Sequence, residues 1–103
     1  MLIEGSPALS CLTLALEVNN KGITTIEGLM TGDELDPIQS SFVEHGAIQC
    51  GFCTPGVIMS VKGLLGQNPH PARKEITEAI AGNLCRCTGY KKIVDAVEAI
   101  SKD

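Results

Sequence analysis

Four of the five cysteines stand in two tight pairs, Cys50-Gly-Phe-Cys53 and Cys85-Arg-Cys87, separated by residues 54–84. Thiolates are soft ligands. Two short pairs brought together by folding make a four-sulfur cage of the kind that holds an iron–sulfur cluster or zinc. With four thiolates either cargo carries a formal charge of about −2, and a buried anion needs compensation. Each pair is followed at once by a helix-start signal, Thr54-Pro55 and Thr88-Gly89. The sequence therefore predicts that both pairs run straight into helix N-termini, whose free N–H groups and dipole favour negative charge. Gly51, Gly56 and Gly89 are expected to let the backbone approach the sulfurs. Amides beside the sulfurs would also raise the reduction potential of a cluster. Zinc sites usually space both ligand pairs by two to four residues. The single-residue gap in Cys85-Arg-Cys87 departs from that habit and favours a two-iron cluster, with zinc, and free or disulfide-bonded thiols, left open by spacing alone.

The rest of the chain bounds the answer. Its 103 residues suffice for one domain, or one domain with an appendage. A core this small leaves a bound cluster a substantial share of the folding energy. There is no Trp, one Tyr and two Phe, so the core must be built from Leu, Ile, Val and Ala, which suits packed helices. A net charge of −4 argues against a nucleic-acid or anionic-membrane partner. No apolar run reaches the ~18 residues that span a bilayer. Met1-Leu-Ile-Glu-Gly5 has no basic start, so no secretory signal is visible and a cytoplasmic setting is expected, where cysteine clusters bind metal more often than they form disulfides. The odd count leaves Cys11 over, expected as a partly buried free thiol.

Helical signals dominate from Asp36 onward. Asp36-Pro37 predicts an N-cap with proline at the first helical position, and Gly46 closes that helix. A second helix is predicted from Pro55 to about Leu65, with Val57, Ile58, Val61, Leu64 and Leu65 at helical spacing and Gly66 after it. The stiff connector Asn68-Pro-His-Pro71 precedes a third helix, from about Ala72 to Ala81, whose Ala72 is a poor cap. A fourth starts after Thr88 and runs to about Ser101, with Ile93, Ala96, Val97 and Ile100 on one face. Four short-linked amphipathic helices make a small bundle with both cysteine loops at one end. Before them, the apolar block Leu9 to Val18 is too short for periodicity to decide between helix and strand. Gly22-Ile-Thr-Thr-Ile-Glu-Gly28 reads as one short strand, whose partners lie in the first segment or outside this chain. Met30 to Glu34 reads as a polar linker.

Gln49-Cys-Gly-Phe-Cys-Thr-Pro-Gly56, followed by Gly82-Asn-Leu-Cys-Arg-Cys-Thr-Gly-Tyr90, resembles the helical iron–sulfur domain of the molybdenum hydroxylases, the xanthine dehydrogenase, aldehyde oxidoreductase and carbon monoxide dehydrogenase type enzymes. The likeness extends upstream through His45-Gly46, Asp36-Pro37-Ile38-Gln39, Thr24-Thr-Ile-Glu-Gly28 and Ser10-Cys-Leu-Thr13. It implies an all-α fold, a small four-helix bundle holding a 2Fe–2S cluster at one end. It implies that Cys50, Cys53, Cys85 and Cys87 are the cluster ligands, that Gln49 contacts the pterin, and that the sulfur of Cys87 accepts a hydrogen bond from the pterin amino group. It also implies partners: a large molybdopterin-binding subunit that feeds electrons to the cluster, and an FAD-bearing component further along the chain of transfer.

The departure from the family pattern lies at the front. A ferredoxin-like domain with its own cluster needs a C-x4-C-x2-C loop, which is absent here, and Cys11 matches only the fourth ligand of that cluster. Residues 1–34 thus read as the end of a ferredoxin-like domain plus linker, and residues 35–103 as the helical 2Fe–2S domain. The function this predicts is electron transfer within a molybdopterin-dependent hydroxylase or dehydrogenase. Two alternatives stand beside it: a stand-alone cluster-binding redox protein, whose known small helical relatives carry the two pairs in the opposite order, and a non-functional remnant. No Ser/His/Asp constellation, phosphate loop or carboxylate pair is found, so no substrate-converting site is expected on this chain. His45 and His70 read as structural or solvent-exposed, Arg86 as solvated or bonded to a partner subunit, Lys91 and Lys92 as a solvated face, Met59 as a core or interface gap-filler, and Tyr90 as a ring on the bundle with its hydroxyl turned to a partner or water.

Overall fold

The computed structural model describes residues 1–101. Helix α1 spans Pro37–Glu44 and starts where the sequence predicts. Asp36 Oδ1 accepts the Ile38 N–H at 2.9 Å, and Gln39 Oε1 reaches back to the Asp36 N–H at 3.0 Å, a reciprocal cap. Gly46, at φ +64°, turns the chain out of it. Helix α2 spans Thr54–Gln67 and runs through Gly66, because the Asn68 N–H still reaches Leu64 O at 2.8 Å and Pro69 forces the stop only afterwards. Helix α3 spans Arg73–Ile80. Its weak start is repaired from outside: Glu75 Oε1 accepts the Ala72 N–H and Asn68 Nδ2 donates to Glu75 Oε2, both at 2.9 Å. Helix α4 spans Lys91–Ser101.

The apolar faces meet as the periodicity requires. Phe42, Val57, Val61, Ile76, Ile93 and Val97 are fully buried at the centre of the bundle. Leu64, Leu65 and Ile100 pack at its edge, and Met59 is buried among them as core. Helix α1 lies against α4 and α2, and α3 closes onto α2 and α4. Polar ties fix the docking. Ser41 Oγ donates to Ala96 O at 2.6 Å between α1 and α4, Lys62 Nζ reaches Asp36 Oδ2 at 2.7 Å, and Arg73 bridges to Asp95 and Glu98. His45 bonds Ser41 within α1, and His70 Nδ1 lies 2.7 Å from Ser101 O, so both histidines serve the frame.

The N-terminal segment differs from its expected form. Strands β1 (Leu2–Ile3) and β2 (Ser6–Pro7) form a hairpin about Glu4-Gly5, both at positive φ, as a primed two-residue turn demands. Strand β3 (Ile23–Thr24) pairs antiparallel with the other side of β1, Leu2 opposite Thr24, giving the order β2-β1-β3. The strand expected at residues 22–28 is therefore shorter and has its partners within the first seven residues. The chain then turns through a 3₁₀ turn at Ile26–Gly28, closed by the Gly28 N–H on Thr25 O. The apolar block becomes two 3₁₀ turns, Ser10–Leu12 and Ala15–Val18, with nothing buried; Leu9, Leu12, Leu14 and Leu16 are 60–88% exposed. The sheet docks on α2 at Gly63, where a Cβ would lie 2.7 Å from Pro7 Cδ. Leu2 and Leu29 thereby join the bundle core. Among the described residues no helix is long and apolar enough to cross a membrane.

Candidate metal centre

The first cysteine pair sits on the approach to α2. Gly51, at φ +86°, bends the loop between the two cysteines of the first pair. Cys53 is the residue at which α2 begins, its carbonyl accepting the Val57 N–H at 3.1 Å. The second pair hangs between α3 and α4. Here the expected direct run into a helix does not occur: α4 starts at Lys91, because Gly89 and Tyr90 both hold positive φ, +67° and +73°, and delay it.

The two loops meet at one end of the bundle, where the four thiols perturb one another: Cys50 acts on Cys87 and Cys53, and Cys85 on all three others. The Phe52 N–H and then the Cys87 thiol hold the Cys50 thiol below its ordinary range, and donation to Cys50 pushes the Cys87 thiol up. The Thr88 hydroxyl and then the Thr88 N–H lower Cys85 to about 7, while burial and then Cys85 push the Cys53 thiol up. Cys85 is buried, Cys53 half-buried, and Cys50 and Cys87 exposed, so the group is sunk into the bundle along one edge and open along the other. Among the described residues no three His, Cys, Asp or Glu side chains converge on one point. Four soft thiolate donors suit an iron–sulfur cluster or zinc.

Other residues singled out in the sequence fall into place around it. Gln49 is exposed next to Cys50. Phe52 and Leu84, one in each loop, are 93% and 85% exposed. Cys11 is unpaired as expected but exposed where partial burial was expected, because the turn at Ser10–Leu12 that carries it buries nothing. Gly56 acts differently from its expected role. It clears space for Asn83, whose Oδ1 would lie 2.7 Å from an added Cβ and whose Nδ2 donates to Ser60 Oγ at 3.0 Å. It therefore ties the second loop to α2 and does not approach a sulfur. Two supporting residues escape a reading of the sequence. Thr88 Oγ1 is 3.1 Å from Cys85 Sγ, with the Thr88 N–H on the same sulfur at 3.4 Å. The Tyr90 hydroxyl, expected to face a partner or water, accepts the Cys85 N–H at 2.8 Å. The available signal is Thr-Gly as turn chemistry, which differs from the helix start that the same dipeptide suggests.

A helical bundle that presents four cysteines from two loops at one end defines a small thiolate-ligated metal domain. A family model described as "[2Fe-2S] binding domain" matches residues 25–98, and the chain belongs to that family. It is 50% identical over 97 residues to the nicotine 6-hydroxylase small subunit of Paenarthrobacter nicotinovorans, covering 94% of this chain and 58% of that protein. It is 46% identical over 97 residues to the nicotinate dehydrogenase small FeS subunit of Eubacterium barkeri, covering 94% of this chain and 62% of that protein. Among solved structures, quinoline 2-oxidoreductase from Pseudomonas putida 86 superposes with a TM-score of 0.92 at 48% identity, over 98% of this chain and 64% of that one. Aldehyde oxidoreductase from Desulfovibrio gigas gives 0.91 at 43%, over 97% of this chain and 11% of that one. The chain thus spans 58% and 62% of the length of these two curated relatives.

Proposed function

We propose that this chain is the electron-transfer iron–sulfur part of a molybdopterin-dependent hydroxylase or dehydrogenase, with Cys50, Cys53, Cys85 and Cys87 as the ligands of one 2Fe–2S cluster. The observation that carries it is that both cysteine pairs lie at one end of the bundle, within the stretch matched by the [2Fe-2S] binding domain family. When bound, the cluster takes up and releases one electron at a time. The chain's own groups suit that charge. The Thr88 N–H and the Thr88 hydroxyl point at the Cys85 sulfur, and the α2 N-terminus stands beside Cys53. The open edge at Cys50 and Cys87 gives a partner close access to the sulfurs.

In this reading a large subunit carries the molybdopterin cofactor and an FAD-bearing component receives the electrons. Gln49 contacts the pterin and the exposed Cys87 sulfur accepts a hydrogen bond from its amino group. Residues 1–34 represent the end of a ferredoxin-like domain plus linker, and residues 35–103 the helical cluster domain. The small-subunit names of the relatives support the assignment, and five unpaired cysteines suit the reducing cytoplasm. The test is iron and acid-labile sulfide per chain on anaerobically purified protein, with EPR before and after dithionite. Two irons and two sulfides, silent when oxidised and spin-half when reduced, are expected. Zinc, or no metal after reconstitution, overturns the proposal. Co-purification with a molybdopterin-bearing subunit tests the partner.

A further inference from the structure

We propose that Thr88 is a positioning residue of this site: its hydroxyl is held as a fixed donor onto the Cys85 sulfur and raises the midpoint potential of the cluster. The inference rests on the reading of the four cysteines as ligands.

The geometry leaves the hydroxyl one role. Thr88 Oγ1 lies 3.1 Å from Cys85 Sγ and 3.1 Å from the Tyr90 N–H. A hydroxyl has one proton and can also accept. The Tyr90 N–H can only donate, so it occupies a lone pair of Oγ1, and the hydroxyl proton is left for the sulfur. A ligating sulfur is a thiolate with no proton to offer, which fixes the same direction from the other side. The Thr88 N–H adds a second donor to that sulfur at 3.4 Å.

The backbone is held in an unfavourable state to make this arrangement. Tyr90 adopts φ +73° directly after Gly89 at φ +67°. A bulky residue seldom occupies the left-handed region, and it stays there only when its surroundings demand it. Here the demands are visible. In this conformation the Tyr90 N–H meets Thr88 Oγ1 and the ring turns back so that its hydroxyl takes the Cys85 N–H at 2.8 Å. The Tyr90 carbonyl then takes the Val94 N–H at 3.0 Å and starts α4. Residues 88–90 therefore grip Cys85 by its backbone and its sulfur together. Cys85 is also the most buried of the four cysteines, where a hydrogen bond acts in a lower dielectric and counts for more. A donor on a ligand sulfur stabilises the extra negative charge of the reduced cluster, which moves its potential upward.

The test is a set of three variants of the purified chain, Thr88→Ser, Thr88→Val and Thr88→Ala, each assayed for iron and sulfide and titrated with redox mediators under EPR. The Ser variant is expected to hold the wild-type potential. The Val and Ala variants, with full iron, are expected to fall below it and to lose one exchangeable proton coupling in the reduced spectrum. A Val or Ala variant at the wild-type potential overturns the inference. So does a Ser variant shifted as far as Ala, or loss of the cluster from Val and Ala alike, which assigns Thr88 a purely structural part. A wild-type chain that binds no two-iron cluster instead overturns the underlying ligand reading, so the two failures are distinct.

Discussion

The two cysteine loops arrive at the same end of the bundle by different means. The first is made by the main chain: a left-handed glycine, and Cys53 at the start of a 14-residue helix. Its side chains Gln49 and Phe52 are exposed. The second is made by side chains: Thr88 on the sulfur, the Tyr90 hydroxyl on the Cys85 N–H, and Asn83 anchored to Ser60 on α2. A loop held by main-chain geometry leaves its side chains free to face a partner. A loop held by side chains is specified residue by residue and sinks its cysteine into the core.

That difference can be broken by substitution, with the largest effects on the second loop. Cys85→Ser removes the most buried sulfur and is expected to abolish iron and acid-labile sulfide and to lower the thermal midpoint of the as-purified protein, since cluster binding and folding are coupled. Cys11→Ser serves as the control, with iron content unchanged. Tyr90→Phe leaves the Cys85 N–H without its acceptor and should cost about 1–3 kcal/mol in denaturant unfolding. Ala substitution at Gly51 or Gly89 forces a Cβ into the left-handed region and should cost ~1–2 kcal/mol at either site. Equal costs there would show that both loops share the same backbone requirement. Phe52→Ala should change stability by less than ~0.5 kcal/mol, because the ring is exposed. A stability loss there as large as at Tyr90 would contradict the contrast between the loops.

Much of the helical unit is legible in the sequence. The Asp36-Pro37-Ile-Gln39 start reads directly as a cap because its partners are neighbours along the chain. The buried faces of α2, α3 and α4 follow the 3.6-residue period. What escapes depends on partners distant in sequence or on turn chemistry. The Glu4-Gly5 hairpin carries a turn signal, but two-residue strands are too short to show alternation, and β3 needs β1 to exist at all. Gly56 can be read as a place of close approach, yet only the fold identifies Asn83 as the neighbour. The apolar block at residues 9–18 has the composition of a buried element and is exposed here, because composition does not supply a surface to bury against.

The sequence by itself determined the candidate ligands, the four-helix plan and the family, because residue type, spacing and helical period are local properties written along the chain. Only the tertiary structure decided that Cys85 is buried while Cys50 and Cys87 stay open, and that Thr88 and Tyr90 are aimed at Cys85. Those outcomes turn on how α2 and α4 dock and on two successive left-handed residues, and the energy that holds them comes from contacts no linear pattern records.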